Sequence, residues 1–151
     1  MQKFEIRPIA HVSNSRKEIQ DDKWKPIISE ITLADDMPDE CFDGIEAFSH
    51  LEIVYYFHRS TFELKGAEHP RENPEYPRVG IFAQRKKDRP NHLGLTFVRV
   101  IEKQGRKLIV SHLDAIDGTP VIDIKPVFAE FLPPDPVRQP DWSHDIVKNY
   151  W

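Results

Sequence analysis

The feature that most constrains this chain is a short alternation of apolar and polar residues that recurs between turn-forming segments. The clearest example is Ser49–Arg59, SHLEIVYYFHR, in which Leu51, Ile53, Tyr55 and Phe57 share one face. A two-residue period is that of a β-strand. The first face is typical of a core. The second is too polar for a plain core, and we expect it to line a cavity or an interface.

Similar segments recur about every ten residues without long helical patterns between them, which predicts a mainly β fold. The chain also has 13 prolines, and proline interrupts helices. We therefore expect an antiparallel sheet curled into a barrel, with one or two short helices. The expected strands are Phe4–Ile9, Ile27–Leu33, Ser49–Arg59, Arg78–Gln84, Leu93–Glu102, Lys107–Leu113 and Val121–Lys125.

Turn residues separate these expected strands. Gln104–Gly105 predicts a hairpin turn, and Asp117–Pro120, DGTP, predicts a second turn. A short helix is expected within Pro38–Phe48, because a proline is favoured in the first helical turn.

The length of 151 residues indicates one domain, residues 1–151, with an irregular tail over 131–151. In that tail, Asp141 or Ser143 is expected to cap a short helix that runs to Trp151. The sequence has neither a membrane-spanning apolar run nor the apolar centre of a signal peptide. We expect a cytoplasmic protein.

A basic loop follows the expected strand Arg78–Gln84. It contains Arg85, Lys86, Lys87 and Arg89, and Asp88 is the only acidic residue among them. A Pro-Asn pair then forces a loop. Two interpretations stay open, namely a solvated charge run at the end of a strand and a functional loop held between two strands.

The net charge of −4 argues against a protein that coats nucleic acid by bulk charge. A local basic surface on an acidic body instead fits one structured RNA or one anionic metabolite. The single cysteine, Cys41, excludes an intrachain disulfide and fits a reducing compartment.

Several classes of enzyme lack their motifs in this sequence. There is no HxH, HExxH or CxxC spacing among the seven histidines and one cysteine, so we expect no catalytic metal. GxSxG, GxxxxGK[ST] and GxGxxG are also absent. No residue is identified as a catalytic acid, base or nucleophile.

Polar residues cluster at the expected strand ends, at His58, Arg59, Arg85 and Ser111–Asp114. In a barrel such ends can converge at one rim. A carboxylate beside cations and backbone donors could hold a zwitterionic small molecule. Each residue also has an ordinary alternative: His58 in an interface, Arg85 in a surface ion pair, and Asp114 as a turn cap.

Three sequence blocks carry a resemblance to a known family. They are GIEAFSHLEIVYYFHR, RVGIFAQRKKDRPNHLG and LDAIDGTPVIDIKPV, and they occur in the family's order. The chain resembles the TsaA-like (YaeB, TrmO) family from IRPIAHV to about Val127. The resemblance implies a single-sheeted β-barrel, usually dimeric, that binds S-adenosylmethionine. It also implies methyl transfer to N6 of threonylcarbamoyladenosine at tRNA position 37, beside the anticodon.

The resemblance also implies which residues bind the cofactor and the RNA. The implied cofactor-binding residues are His58, Arg59, Arg85, Leu95, Ser111, His112, Leu113 and Asp114. The basic loop would hold the backbone of the anticodon loop through Lys86, Lys87 and Arg89.

The chain departs from the family pattern in several places. Ser13–Ser15 replaces RSP, His92 replaces a proline, and residues 16–27 do not align. Full-length members add a C-terminal domain that helps to engage tRNA, and we expect this chain to lack that domain. Two alternatives therefore stay open: an S-adenosylmethionine-binding protein of the same fold that acts on another substrate, and a non-catalytic binding module.

Overall fold

Six strands form a closed antiparallel barrel in the computed structural model, which describes residues 1–61 and 63–151. The barrel order is β1-β2-β7-β6-β3-β8, and β4 and β5 form a separate two-stranded sheet. The strands are β1 Ala10–Ser13, β2 Ile28–Leu33, β3 His50–Tyr56, β4 Ala67–Glu68, β5 Val79–Gly80, β6 Leu93–Gln104, β7 Lys107–Ser111 and β8 Pro120–Pro126. The expected mainly β barrel is confirmed.

Helical structure is short. Single 3₁₀ turns lie at Asp39–Phe42, Ile45–Ala47, Pro70–Glu72, Ile81–Ala83 and Ala129–Phe131, and the α-helix α1 is Asp141–Ile146. The segment Pro38–Phe48 thus holds two 3₁₀ turns instead of one helix. The prediction that the last helix ends at Trp151 is wrong, because α1 ends at Ile146 and its N-cap is Pro140.

The barrel interior is filled by the faces that alternation predicts. Leu51, Ile53 and Tyr55 of β3 are buried, whereas their neighbours are partly or fully exposed. The strand pairs with β6 on one side and β8 on the other. Burying one such apolar side chain contributes about 1.5–3 kcal/mol, so the inward faces of the strands hold the barrel together.

The first strand begins later than predicted. Residues 1–8 are outside the sheet, and Phe4 is 81% exposed. Pairing starts at Ile9, whose N–H donates to Val121 O at 2.8 Å. Pro8 lacks an N–H, and the alternation before it therefore does not continue into the ladder.

The predicted strand Arg78–Gln84 is also wrong in its second half. Only Val79–Gly80 is extended, and the chain then makes the 3₁₀ turn Ile81–Ala83. This turn places Gln84 inward, where its side-chain amide donates to Val79 O at 3.0 Å and to Glu68 O at 3.3 Å. A buried side-chain amide needs hydrogen-bond partners. Here the two bonds connect Gln84 to the two-stranded sheet of β4 and β5.

The hairpin β6–β7 is confirmed, with its turn one position later than predicted, at Gly105–Arg106. Gly105 has φ of 60°, a conformation that glycine adopts without strain. Among the described residues, none lies in a helix of the length and apolarity that a bilayer crossing requires.

Antiparallel pairing brings alternate strand ends to one rim of the barrel. The ends of β1, β3 and β7 lie beside the starts of β2, β6 and β8, as the pairs Ile28–Ser111, Tyr56–Leu93 and His11–Pro120 show. We call this end the site rim. The ends of β3 and β7, which precede His58 and Asp114, lie at one rim as predicted, whereas the strand before Arg85 belongs to the separate sheet.

Candidate functional site

Asp114 is the centre of a hydrogen-bonded cluster at the site rim. Its Oδ1 accepts hydrogen bonds from the hydroxyl of Tyr55, at 2.9 Å, and from that of Thr96. Its Oδ2 accepts one from the hydroxyl of Tyr150. Three hydroxyl donors on one carboxylate limit its rotation.

Close packing on β3 and β6 positions Tyr55. Its ring lies over Gly94, the residue paired with it across the two strands. A Cβ atom at Gly94 would lie 2.5 Å from two ring carbons, well inside van der Waals contact. Glycine at this position therefore gives the ring the space from which its hydroxyl reaches Asp114.

Tyr55 and Tyr150 stay protonated at neutral pH. Burial raises the pKa of both hydroxyls, and the negative charge of Asp114 raises them further. The positive charge of Arg85 acts in the opposite direction on both. The two tyrosines are thus hydrogen-bond donors to the carboxylate.

Arg85 and Leu95 meet at the same rim. The guanidinium of Arg85 donates to Leu95 O at 3.2 Å, and both residues are exposed. The side chain of Leu95 is on the outer face of β6 and is 44% exposed. Arg85 is therefore bonded to the backbone of β6 next to Thr96, and its charge reaches Tyr55 and Tyr150 of the Asp114 cluster.

Ser111 is the last residue of β7, and His112 lies between it and Asp114. His112 has φ of 63°, a left-handed conformation that is uncommon for residues other than glycine. Its Nδ1 lies 3.2 Å from Ser111 Oγ, and its ring lies 5.2 Å from that of Trp151. Leu113 differs, because its side chain is fully buried in the core. Only its backbone can contact a ligand.

His58 and Arg59 contact a different part of the site rim. Arg59 donates to Lys17 O at 2.8 Å and forms an ion pair with Glu18 at 3.2 Å. Nε2 of His58 lies 3.8 Å from where a Cβ atom on Gly118 would be. These contacts bind the end of β3 to the loop after β1 and to the turn before β8.

The basic loop is more neutralised than the sequence indicates. Lys86 forms an ion pair with Glu68, and Lys87 forms one with Asp88 at 3.1 Å. Arg89 donates to Gln84 O at 3.0 Å. The expectation that Asp88 alone neutralises the loop is wrong, because folding brings Glu68 of β4 against it.

Two surface depressions lie away from Asp114. One of about 330 Å³ is lined by residues that include Lys65, Glu68 and Lys86. Another, of about 380 Å³, lies on the outer wall near Asn14 and Ile109. Within the ranges 1–61 and 63–151, no group of three or more histidine, cysteine or acidic side chains is arranged to hold a metal ion.

Sequence reasoning missed three side chains of the cluster, Tyr55, Thr96 and Tyr150. Thr96 could have been identified from the sequence, because it is a polar residue at an inward position of β6. Tyr55 was assigned to the core, and it is buried there except that its hydroxyl points to the rim. Tyr150 gave no signal, because nothing in the sequence relates the 131–151 tail to the loop after β7.

Asn14, which stands in the family's RSP position, also belongs to this region. Its side-chain amide donates to Ala115 O at 2.8 Å and to Ser29 Oγ at 2.9 Å. Its backbone N–H donates to Asp117 Oδ1 at 2.9 Å. The departure from the family pattern therefore supplies bonds that hold the segment 114–117 in place.

The closed barrel and its rim cluster define a small β-barrel protein with a hydrogen-bonded polar cluster at one rim. The chain belongs to the family of the tRNA-methyltransferase O N-terminal domain, whose model matches residues 11–131. This confirms the resemblance in the three sequence blocks.

Two relatives and one solved structure illustrate the similarity. The tRNA (adenine(37)-N6)-methyltransferase of Escherichia coli is 42% identical over 100 residues, which are 60% of this chain and 41% of that protein. An S-adenosyl-L-methionine-binding protein of Archaeoglobus fulgidus is 32% identical over 124 residues, which are 80% of this chain and 86% of that protein. A crystal structure of TrmO from Pseudomonas aeruginosa has a TM-score of 0.75 at 25% identity, over 94% of this chain and 62% of that one. The chain spans half or less of the length of several other curated relatives.

Proposed function

We propose that the chain is an S-adenosylmethionine-dependent methyltransferase acting on N6 of adenosine 37 in tRNA, with the threonylcarbamoyl-modified nucleoside as acceptor. The observation that carries the proposal is the Asp114 carboxylate at the site rim, held by three hydroxyl donors in a chain of this family. The name of the E. coli relative supports the reaction and the RNA.

The chemistry of the rim fits the cofactor. S-adenosylmethionine has an ammonium group and ribose hydroxyls that donate to a carboxylate, a carboxylate that pairs with a guanidinium, and apolar parts. Asp114, Arg85 and Leu95 are proposed to offer these three complements at the site rim, where Arg85 is bonded to the backbone of Leu95. The backbone of Ser111–Leu113 would add contacts. When bound, the cofactor supplies an electrophilic methyl group.

The protein itself contributes mainly by binding the cofactor and the acceptor and by orienting them toward each other. Fixing two reacting groups in a productive geometry can supply about 7–11 kcal/mol. The hydroxyl bonds that hold Asp114 and the packing of Tyr55 on Gly94 pre-organise the rim for this purpose. The rigid barrel thereby holds the charged side chains of Asp114 and Arg85 in place at the site rim.

The basic loop is proposed to hold the anticodon loop. Lys86, Lys87 and Arg89 follow Gln84–Arg85 directly, so RNA bound to them would lie beside the rim. An adenosine next to the anticodon is presented in a single-stranded loop, where an enzyme can reach its base. This supports tRNA as partner. A cytoplasmic location is proposed with it.

A second copy of the chain is proposed to cover the outer face of β6. Leu95, Phe97 and Ile101 on that face are 44%, 45% and 52% exposed. Ile28 of β2 is 48% exposed as well. A homodimer would bury this apolar surface, which includes the proposed cofactor-binding residue Leu95.

One alternative has its own support. The A. fulgidus relative, of which the chain spans 86%, is named for binding S-adenosyl-L-methionine and not for a reaction. The alternative is a cofactor-binding protein of the same fold that has another substrate or acts as a non-catalytic module.

Methyl transfer from labelled S-adenosylmethionine to bulk tRNA tests the proposal. We expect label in tRNA and, by mass spectrometry, in an N6-methylated adenosine derivative. Cofactor binding without transfer to tRNA would favour the alternative. A chain that binds no S-adenosylmethionine in calorimetry would contradict both.

A further inference from the structure

The residues Val147–Trp151, which we call the 147–151 segment, lie against the site rim. Two backbone hydrogen bonds hold them there, from Lys23 N to Asn149 O at 3.0 Å and from Trp24 N to Tyr150 O at 2.8 Å. Trp24 is buried. The segment is therefore hydrogen-bonded to a part of the chain that is itself packed into the protein.

The side chains at the end of this segment contact two of the predicted cofactor residues. The hydroxyl of Tyr150 donates to Oδ2 of Asp114. The ring of Trp151 lies 5.2 Å from that of His112 and 5.2 Å from that of Tyr150. The segment thus contacts both Asp114 and His112.

A second anchor holds the segment from the side of α1. The hydroxyl of Tyr76 donates to Asp145 Oδ2 at 2.5 Å, and the rings of Tyr76 and Trp142 are 6.3 Å apart. This anchor is a tyrosine–carboxylate bond like that of Tyr150, but it does not involve Asp114.

We propose that Tyr150 is a positioning residue for Asp114, and that the 147–151 segment is therefore a wall of the cofactor site. This inference rests on the proposed function. It adds a residue from the end of the chain to a site otherwise built from the family's sequence blocks.

The hydrogen-bonding capacity of the carboxylate explains the role. An ionised carboxylate has about four acceptor positions. Tyr55 and Thr96 occupy Oδ1, and Tyr150 takes one position on Oδ2. The remaining position on Oδ2 is directed by Tyr150 and can accept a hydrogen bond from an ammonium or ribose hydroxyl donor.

The hydroxyl of Tyr150 remains a donor over the neutral pH range. Burial raises its pKa, and the charge and hydrogen bond of Asp114 raise it further. Without this donor, only the bonds at Oδ1 would hold the carboxylate, and binding a ligand would have to supply the restraint that Oδ2 has lost. The opposite role, in which Tyr150 blocks the ligand, predicts the opposite change in affinity.

Calorimetry with S-adenosylmethionine tests the inference on the full chain. Tyr150→Phe keeps the ring and removes only the hydroxyl, and we expect affinity to fall by roughly tenfold to a hundredfold. Tyr76→Phe is the matched control, because it removes the equivalent bond to Asp145 and leaves Asp114 untouched. Its affinity should stay near that of the wild type.

A variant that lacks Tyr150 and Trp151 provides a second measurement. It keeps the bond from Lys23 to Asn149, and it should bind at least as weakly as Tyr150→Phe. Thermal unfolding of each variant checks that the barrel is intact.

Three results would overturn the inference. Wild-type or tighter affinity in Tyr150→Phe means that Tyr150 does not position the site. Equal weakening in both tyrosine variants means that the segment has only a structural role. If the wild type itself does not bind, the proposed function fails and the inference fails with it, which is distinct from a failure confined to the Tyr150 variants.

Discussion

The hydroxyl of Tyr55 lies 2.9 Å from Oδ1 of Asp114, although 59 positions separate the two residues in the sequence. The bond joins the end of β3 to the loop after β7 across the site rim. It makes the position of the carboxylate depend on the packing of a buried ring. Changes to the carboxylate and changes to the packing of the ring should therefore have separate, measurable effects.

Asp114→Asn is expected to weaken S-adenosylmethionine binding roughly tenfold to a hundredfold. The amide loses the charge and turns an NH₂ group toward hydroxyls that now donate to Asp114. Calorimetry measures the effect. Asp117→Asn is the control, since Asp117 is a rim carboxylate that binds Lys17 and the Asn14 N–H instead. Equal losses in both variants would contradict a specific role for Asp114.

Gly94→Ala is expected to reduce the free energy of unfolding by about 1–3 kcal/mol. The new Cβ would lie 2.5 Å from the Tyr55 ring, which is buried and cannot move aside freely. Gly80→Ala is the matched control, because its Cβ would meet only Gly66 O, at 3.8 Å. Denaturant unfolding compares them, and equal stability of the two variants would exclude the proposed packing.

His58 is expected to titrate below its ordinary pKa of 6.5, because burial and then the charges of Arg59 and His11 lower that pKa. The unfolded chain therefore takes up the proton first as the pH falls. Stability from this group is present above pH 6.5 and is lost as the pH falls through the lowered pKa. NMR titration gives the midpoint, and Arg59→Gln should raise it. A measured midpoint at or above pH 6.5 would contradict a lowered pKa for His58.

The double variant Lys86→Ala, Lys87→Ala is expected to weaken tRNA binding and to flatten its salt dependence. For each phosphate of single-stranded RNA that the variant no longer neutralises, the slope of log K against log salt should become shallower by about 0.7. Cofactor affinity should change little, because Lys86 pairs with Glu68 and Lys87 with Asp88, not with Asp114. Filter binding over a salt series measures the slope.

A control for this pair removes the same charge elsewhere. Lys103 and Lys107 flank the hairpin turn at the barrel end opposite the site rim, so replacing both with alanine should leave the slope unchanged. Wild-type tRNA affinity of the Lys86, Lys87 variant at low salt would show that the loop does not bind RNA.

Phe97→Asp is expected to shift a homodimer toward monomer. Phe97 is 45% exposed on the outer face of β6, and a carboxylate buried there in an interface would be strongly disfavoured. Phe4→Asp is the control, because Phe4 is exposed outside the sheet. Light scattering should report twice the 17.7 kDa chain mass for the wild type. A wild-type monomer at micromolar concentration would rule out the dimer.

Local pattern determined the strands and their inward faces. The alternation of β3 and the glycine turn of the hairpin are properties of neighbouring residues, so the sequence predicts them directly. The family blocks likewise identified Asp114, Arg85 and Leu95, which the structure places at one rim. Local pattern failed at Phe4–Pro8, where alternation is present but the residues lie outside the sheet.

Tertiary structure alone decided what surrounds Asp114. Its three donors come from β3, β6 and the 147–151 segment, and the register of a closed barrel sets which residues meet. The same holds for Lys86, whose partner Glu68 belongs to β4. Alternation specifies which face of a strand a side chain occupies. Which distant side chain it touches depends on strand pairing, barrel closure and the return of the chain end, and none of these is a local property.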